Sequence, residues 1–146
     1  LRKNRWIIRL VGEIMKIDIL TLFPDMFNGF LNESIIKRAR DKGLVDIEVH
    51  NIRDYSPYKN KQVDDYSYGG GAGMVLMCEP IFLAIEALKT ENSVVMMMTP
   101  SGETFNQGLA KKFLDYKHII LLCGHYEGLA YATCPVHQRT PHPLCN

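Results

Sequence analysis

Two apolar runs decide the fold: "SVVMMMT" at residues 93–99 and "HIILLC" at residues 118–123. Continuous runs of β-branched and aliphatic residues are typical of strands that are covered on both faces. Between them, residues 106–114 have the pattern of a helix. Buried strands separated by helices indicate an α/β domain with a mostly parallel sheet flanked by helices. We expect these two runs to be its central strands.

The pattern continues outward from these runs in the same alternation. "KIDILTLF" (16–23) reads as a buried strand, and "VDIEVHNI" (45–52) alternates as a strand with one exposed face does. Helices are predicted from Pro24 onward, at 33–41 with a stop near Gly43, and from Pro80 to Lys89. Residues 53–78 are predicted to be a loop. No internal repeat and no linker divides the sequence.

Composition excludes several classes of protein. Of the 146 residues, 47% are hydrophobic and 23% are charged, which is typical of a globular domain. The formal net charge of +1 does not by itself indicate nucleic-acid binding. No apolar run is long enough for a membrane span. The four cysteines show no CxxC spacing, so we expect reduced thiols and a cytoplasmic location.

The two ends of the sequence differ from the middle. "LRKNRWIIRLVGEI" (1–14) is basic and precedes Met15, so we interpret it as an N-terminal extension upstream of a natural start. "TCPVHQRTPHPLCN" (133–146) contains cysteines and histidines but has no strand or helix pattern around them. An irregular tail is therefore favoured over a zinc site, and no metal site is predicted.

Two strand ends are followed by segments suited to ligand binding. "TPSGETFNQ" (99–107) follows one buried run, and "CGHYEG" (123–128) overlaps the end of the other. Ligands of open parallel sheets bind beyond the carboxyl ends of the strands. Neither segment has the spacing of a phosphate-binding loop, and "GGGAG" (69–73) lacks the dinucleotide-binding pattern. Taken singly, each segment is equally compatible with an ordinary turn.

Taken together, these segments resemble a known family. "MKIDILTLFPDMF" (15–27), "DDYSYGGGAGMVLMCEP" (64–80), "TPSGETFNQ" and "LLCGHYEG" occur in the order and spacing of the bacterial tRNA (guanine-N1)-methyltransferases. The resemblance covers Met15 to about Leu129. It implies a SPOUT-type α/β domain, a homodimer, S-adenosylmethionine as cofactor and tRNA as substrate. The domain forms a trefoil knot in the family, and we expect the knot to be incomplete in this chain. Residues 15–129 would then be the N-terminal part of the cofactor-binding domain.

The resemblance also implies roles for individual residues. The glycine-rich segment would lie beside the cofactor pocket and the tRNA, and its matched positions are Asp64, Asp65, Tyr68, Gly69, Gly70, Gly71 and Gly73. Glycines there permit close approach of a flipped base, and the acids would meet a guanine edge or a basic neighbour. The alternative for Asp64 and Asp65 is a solvated position on a packed connector.

The cofactor pocket of the family is framed by the two segments that follow the buried runs. The matched positions are Met97, Met98, Thr99, Pro100, Gly102, Gly124, Tyr126, Glu127 and Gly128. The side chains of Met96, Met97 and Met98 are expected to pack in the core while the backbone binds the cofactor.

The family's catalytic residues have no match in this sequence. The family pattern continues beyond "GHYEG" with an acidic "DER" run and a glycine-rich loop, whereas this sequence reads "LAYATCPVHQRTPHPLCN". The departure is of the kind that a frameshift or truncation produces, and it leaves residues 130–146 as a tail outside the family pattern. The catalytic base is therefore unknown, with Glu127 as a fallback candidate, and weak or absent activity is expected.

Two other functions remain open. A noncatalytic RNA-binding or dimerisation module would use the basic side chains Lys37, Arg38, Arg40 and Lys42, although a solvated helix face also explains them. A different nucleotide-binding α/β domain is disfavoured because no phosphate loop is present.

Overall fold

The computed structural model describes residues 14–66, 73–98 and 103–124. A four-stranded parallel sheet forms its centre, with strand order β2-β1-β6-β5. The strands of this sheet are β1 (Met15–Thr21), β2 (Val45–Asn51), β5 (Ser93–Met98) and β6 (His118–Cys123). The predicted α/β class with a mostly parallel sheet is confirmed.

Helices cover both faces of this sheet. They are α1 (Asn28–Leu31), α2 (Ser34–Asp41), α3 (Cys78–Leu88) and α4 (Gln107–Phe113). Short 3₁₀ turns at Pro24–Phe27, Ile52–Tyr55 and Lys59–Lys61 complete the connections. Each predicted helix is present within a few residues of its expected bounds.

One face of the sheet packs against α3. Leu20, Ile120 and Leu122 on the strands form a cluster with Ile81 and Ile85 of the helix, all nearly inaccessible to solvent. We call this side the α3 face. On the opposite face, Phe113 of α4 packs on Val94 and Ile119, and Leu31 of α1 packs on Ile19 and Ile47. The result is three layers, helix on sheet on helix.

Local sequence signals set the helix ends. Asn106 precedes α4, and its side-chain oxygen accepts a hydrogen bond from the Leu109 N–H at 2.9 Å, as an N-cap residue does. After α2 the chain turns at Gly43, whose φ of +64° is in the left-handed region. The Gly43 N–H donates to the Arg40 carbonyl at 2.9 Å. A glycine is favoured there because a Cβ would be strained.

Two expectations need correction. Residues 53–78 are not all loop, because β3 (Asp64–Tyr66) and β4 (Met74–Leu76) pair as an antiparallel hairpin. Strands of three residues are too short to produce a readable alternation. β5 also lies at the edge of the described sheet, while β1 and β6 are central.

We expect Leu20→Ala to lower the free energy of unfolding by about 2–5 kcal/mol, because the side chain is fully buried between sheet and helix and its removal leaves a cavity. Urea denaturation followed by circular dichroism measures this.

Leu83→Ala is the matched control, since Leu83 is 38% exposed on α3. It should cost under about 1 kcal/mol, because alanine is the best helix former and little burial is lost. Equal losses for the two variants would contradict the assigned core.

Candidate functional site

The carboxyl ends of β5 and β6 lie side by side. Met97 pairs with Leu122 and Met98 pairs with Cys123 in the parallel ladder. The segments that follow residues 98 and 123 therefore leave the sheet from the same edge. This edge is where open parallel sheets bind their ligands. The structure thus brings together the starting points of the two segments that the sequence analysis singled out.

The methionines at the end of β5 differ in their surroundings. Met97 packs against the cluster that includes Leu20 and Ile120, and Met96 packs on the opposite face. The prediction that these two side chains pack in the core is confirmed. Met98 is 52% exposed, so the same prediction is wrong for it. It is the last residue of its strand, beyond the cover of the helices.

Gly124 follows β6 directly. A Cβ at this position would meet nothing within 4 Å among the described residues. Intramolecular packing within the described ranges therefore does not require a glycine at 124. Close approach by a ligand is a reason for glycine that does not depend on such packing.

Cys123 immediately precedes that glycine. Burial raises the pKa of its thiol. A raised pKa keeps the sulfur protonated at neutral pH and makes it a poor nucleophile. Cys123 accordingly serves as packing at the strand end, where it contributes to the cluster around Ile19 and Ile47.

The loop after β5 returns to the domain through an aromatic contact. Phe105 lies parallel to Phe113 of α4, with ring centroids 6.3 Å apart and an interplanar angle of 17°. Phe105 is nevertheless 59% exposed. This stacking fixes the far end of the segment 99–107 on the helix that follows it.

The β3–β4 hairpin places the acidic pair of the glycine-rich stretch. Asp65 is exposed, and its Oδ1 accepts the Tyr66 N–H at 2.7 Å, while Asp64 is partly buried opposite Leu76. Gly73 at the other end of the hairpin has a φ of +117°, which disfavours any residue with a Cβ. Backbone geometry alone thus explains this one glycine.

Many candidate residues lie outside the described ranges. They are Tyr68, Gly69, Gly70, Gly71, Thr99, Pro100, Gly102, Tyr126, Glu127 and Gly128. The roles expected for them stay predictions, as do those of Asp64, Asp65, Gly73, Met97, Met98 and Gly124.

A contact that the sequence did not indicate links two parts of this region. The Tyr58 hydroxyl donates a hydrogen bond to Oε2 of Glu79, in the first turn of α3. The bond to this carboxylate raises the pKa of Tyr58. This hydrogen bond therefore joins the chain before β3 to the helix that follows β4, so the two segments that flank the hairpin are linked.

A second unforeseen feature is a chain of polar side chains across the α3 face. Asp18 is fully buried on β1, and its Oδ1 lies 2.9 Å from Nε2 of His50 on β2. Its Oδ2 lies 2.7 Å from Nε2 of His118 on β6. The His118 Nδ1 lies 2.8 Å from Oγ of Ser93 on β5. Each strand of the four-stranded sheet supplies one member.

The Asp18 carboxylate sets the direction of two of these hydrogen bonds. A carboxylate accepts only, so Nε2 of both imidazoles donates to it. Ser93 Oγ accepts the Thr90 N–H at 2.6 Å and hydrogen-bonds to Nδ1 of His118. Within the described ranges every buried side-chain nitrogen and oxygen has a partner. Burial of the carboxylate is thereby compensated.

Comparisons with known proteins show the family of the chain. The family model described as tRNA (Guanine-1)-methyltransferase TrmD matches residues 15–139. The chain belongs to this family. The match extends to residue 139, whereas the resemblance in sequence was expected to end near Leu129. Within the described ranges, no helix has the length and apolar character to cross a membrane.

Curated relatives of the TrmD family carry the name tRNA (guanine-N(1)-)-methyltransferase. The protein of Dictyoglomus turgidum is 52% identical over 116 residues, which cover 80% of this chain and 47% of the relative. That of Moorella thermoacetica is 51% identical over 119 residues, covering 79% and 48%. The chain thus spans about half the length of the curated relatives it matches.

A solved structure of the TrmD family has the same fold. The crystal structure of tRNA (m1G37) methyltransferase from Aquifex aeolicus superposes with a TM-score of 0.72 at 33% sequence identity. The match covers 82% of this chain and 55% of that chain. The knot of the family lies outside what the described residues can test.

We expect Asp18→Asn to lower the free energy of unfolding by about 1–3 kcal/mol, because an amide N–H₂ would then face an imidazole N–H. Denaturant unfolding measures the loss, and a double-mutant cycle with His118→Gln isolates the coupling between the two side chains.

Asp25→Asn is the control, since Asp25 is exposed and its carboxylate accepts a hydrogen bond from the exposed Asn28 amide. A surface change of this kind should stay within about 0.5 kcal/mol. An Asp18→Asn loss no larger than that of the control would contradict the role given to the buried carboxylate.

Proposed function

We propose that this chain supplies the S-adenosylmethionine-binding part of a tRNA (guanine-N1)-methyltransferase. Methyl transfer from the cofactor to N1 of the guanine 3′ of the anticodon is the reaction. The single observation that supports this most is the shared edge of β5 and β6, where Met98 and Cys123 pair beside one another in a chain of the TrmD family. Both family cofactor segments begin there.

The chemistry needs positioning more than covalent help. The sulfonium methyl group is already activated, so the protein has to hold guanine N1 in line with it. It also has to remove the N1 proton with a base. The backbone after Met98 and around Gly124 would frame the cofactor, and the glycine-rich segment between Tyr66 and Gly73 would meet the nucleotide.

The 146-residue polypeptide on its own should bind and react weakly. Beyond "GHYEG" the sequence departs from the family pattern that carries a third pocket loop, an aspartate base and an arginine. Loss of one pocket wall removes contacts and preorganisation. About 4 kcal/mol of lost binding energy corresponds to roughly a thousandfold, from micromolar to millimolar. Glu127 remains the fallback candidate for the base.

We propose further that the protein is cytoplasmic and forms homodimers. Three large apolar side chains on the segment from Met26 to Ile35 support self-association: Met26, Phe30 and Ile35 are 77%, 58% and 73% exposed. Exposed apolar patches mark interaction surfaces. The alternative of a noncatalytic RNA-binding module has less support, because Arg40 donates to the Leu31 carbonyl and Lys37 lies 4.0 Å from Asp41.

A chimera tests the function. The region of this chain that matches the Dictyoglomus turgidum enzyme would replace the corresponding region of that enzyme. We expect the chimera to transfer radiolabelled methyl groups to unmodified tRNA with guanine 3′ of the anticodon, because the missing loops are then restored. The 146-residue polypeptide should show little transfer and no tight cofactor binding by calorimetry.

The matched substrate control is the same tRNA with adenine in place of that guanine, which should not be methylated. A folded chimera that binds no S-adenosylmethionine would contradict the proposed function. Turnover by the 146-residue polypeptide at the rate of the Dictyoglomus turgidum enzyme would contradict the expected weakness while supporting the activity.

Light scattering at tens of micromolar protein tests the assembly. We expect a dimer or larger species, because burial of the exposed apolar side chains is favourable. Ile35→Lys should shift the equilibrium toward monomer, whereas Lys37→Gln, a change at a polar position of the same helix, should not. A monomer for the unchanged protein would overturn the dimer.

A further inference from the structure

Three potential metal ligands meet on the α3 face between β1 and β2. Asp18 and Glu48 are directly paired in register, and His50 follows Glu48 by two residues and so points to the same face. One ligand atom from each residue lies within 4.8 Å of the other two. This cluster is on a different pair of strands from the edge of β5 and β6, and no role in the proposed methyl transfer uses it.

The distances suit a single transition-metal ion. The His50 Nε2 lies 2.9 Å from Asp18 Oδ1 and 3.8 Å from Glu48 Oε2. Two ligands bound to one zinc ion at about 2.0–2.2 Å in tetrahedral geometry are roughly 3.3–3.6 Å apart. Small rotations of Glu48 and His50 therefore bring the three atoms into coordination range.

Two of these ligands, Asp18 and His50, have further hydrogen-bond partners on the side away from the cluster. His118 donates to Oδ2 of Asp18 at 2.7 Å, which leaves Oδ1 facing His50. The Tyr55 hydroxyl lies 3.4 Å from Nδ1 of His50, where it can accept the N–H when Nε2 binds a metal. Burial and the nearby Asp18 carboxylate raise the pKa of Tyr55, so it stays neutral. Such outer partners orient metal ligands in known sites.

The solvent exposure of the three ligand side chains increases from Asp18 to Glu48. The side chain of Asp18 is fully buried, that of His50 is 20% exposed and that of Glu48 is 52% exposed. An ion can therefore enter from solvent beside Glu48, and water can fill the remaining coordination positions. One imidazole and two carboxylates are ligands that zinc accepts, whereas magnesium prefers oxygen ligands alone.

Without a metal ion, the ammonium group of Lys16 lies beside the two carboxylates of the cluster. Its Nζ lies 3.3 Å from Glu48 Oε2 and 3.6 Å from Asp18 Oδ2. Its side chain is 40% exposed and can withdraw into water. A dication brings twice the charge and also bonds to the imidazole.

We propose that Asp18, Glu48 and His50 form a binding site for one divalent first-row transition-metal ion, with zinc as the probe. The three residues lie in ordinary strand patterns of the sequence, which do not indicate a metal site. A bound ion would join β1 to β2 and displace the Lys16 ammonium from between the two carboxylates.

The test uses the full chain with four substitutions, C134S, H137Q, H142Q and C145S. They remove the cysteines and histidines of residues 133–146, which could otherwise bind zinc themselves. Zinc is titrated by calorimetry, and cobalt is titrated by its visible absorption, which reports coordination directly. We expect one saturable site. Glu48→Gln and His50→Gln should each weaken it by about tenfold or more, since each removes a ligand.

Asp46→Asn is the matched control for Glu48→Gln, because Asp46 is an exposed acid on the same strand and face. It should leave the affinity unchanged. Lys16→Met removes the competing ammonium and no ligand, so it should strengthen binding. Circular dichroism checks that each variant folds.

Absence of saturable zinc binding in the four-substitution chain would overturn the proposal. Equal affinities for the Glu48→Gln and Asp46→Asn variants would overturn it as well. Loss of binding in a folded Lys16→Met protein would also count against the site, because that change leaves all three ligands in place.

Discussion

The Asp18 carboxylate is the group on which the arrangement of the sheet depends. A charged oxygen pair with no solvent exposure on a central strand is costly unless both oxygens accept hydrogen bonds. His50 and His118 donate these bonds from the two strands that flank β1. A one-residue slip of β2 or β6 would turn its histidine to the other face. The buried charge therefore favours a single register on both sides of β1.

This polar chain divides the α3 face into two parts. Toward the amino ends of the strands, Asp18, His118 and Ser93 hydrogen-bond to one another. Toward the carboxyl ends, Leu20 and Leu122 pack against α3. Of the polar chain, His50 is the member that lies toward the carboxyl end, because it is in register with Leu20. The segments proposed to bind the cofactor begin at this end of β5 and β6.

The sequence predicted the features that depend on local pattern. The strands and helices follow from apolar runs and periodicity, and the helix end at Gly43 follows from the preference for glycine there. The hairpin of β3 and β4 was missed because each strand has three residues.

The polar chain was missed for a different reason. Asp18 and His118 are 100 residues apart, and no local pattern indicates that a charged residue in one strand faces a histidine in another. Of the candidate site, the sequence predicted which segments begin at one sheet edge. It did not predict that the Met98 side chain would be exposed there, because an apolar run does not show at which residue the cover of a strand ends.

Strand β6 connects the buried polar chain to the sheet edge at Met98 and Cys123. It begins at His118, which is held by Asp18 and Ser93, and it ends at Cys123, directly before Gly124. The strand advances by five residue steps from His118 to Cys123, roughly 17 Å. The buried hydrogen bonds fix where β6 starts along β1, and the ladder with β5 then fixes where it ends beside Met98. The edge from which both cofactor segments depart is in this way positioned by a polar contact at the other end of the strand.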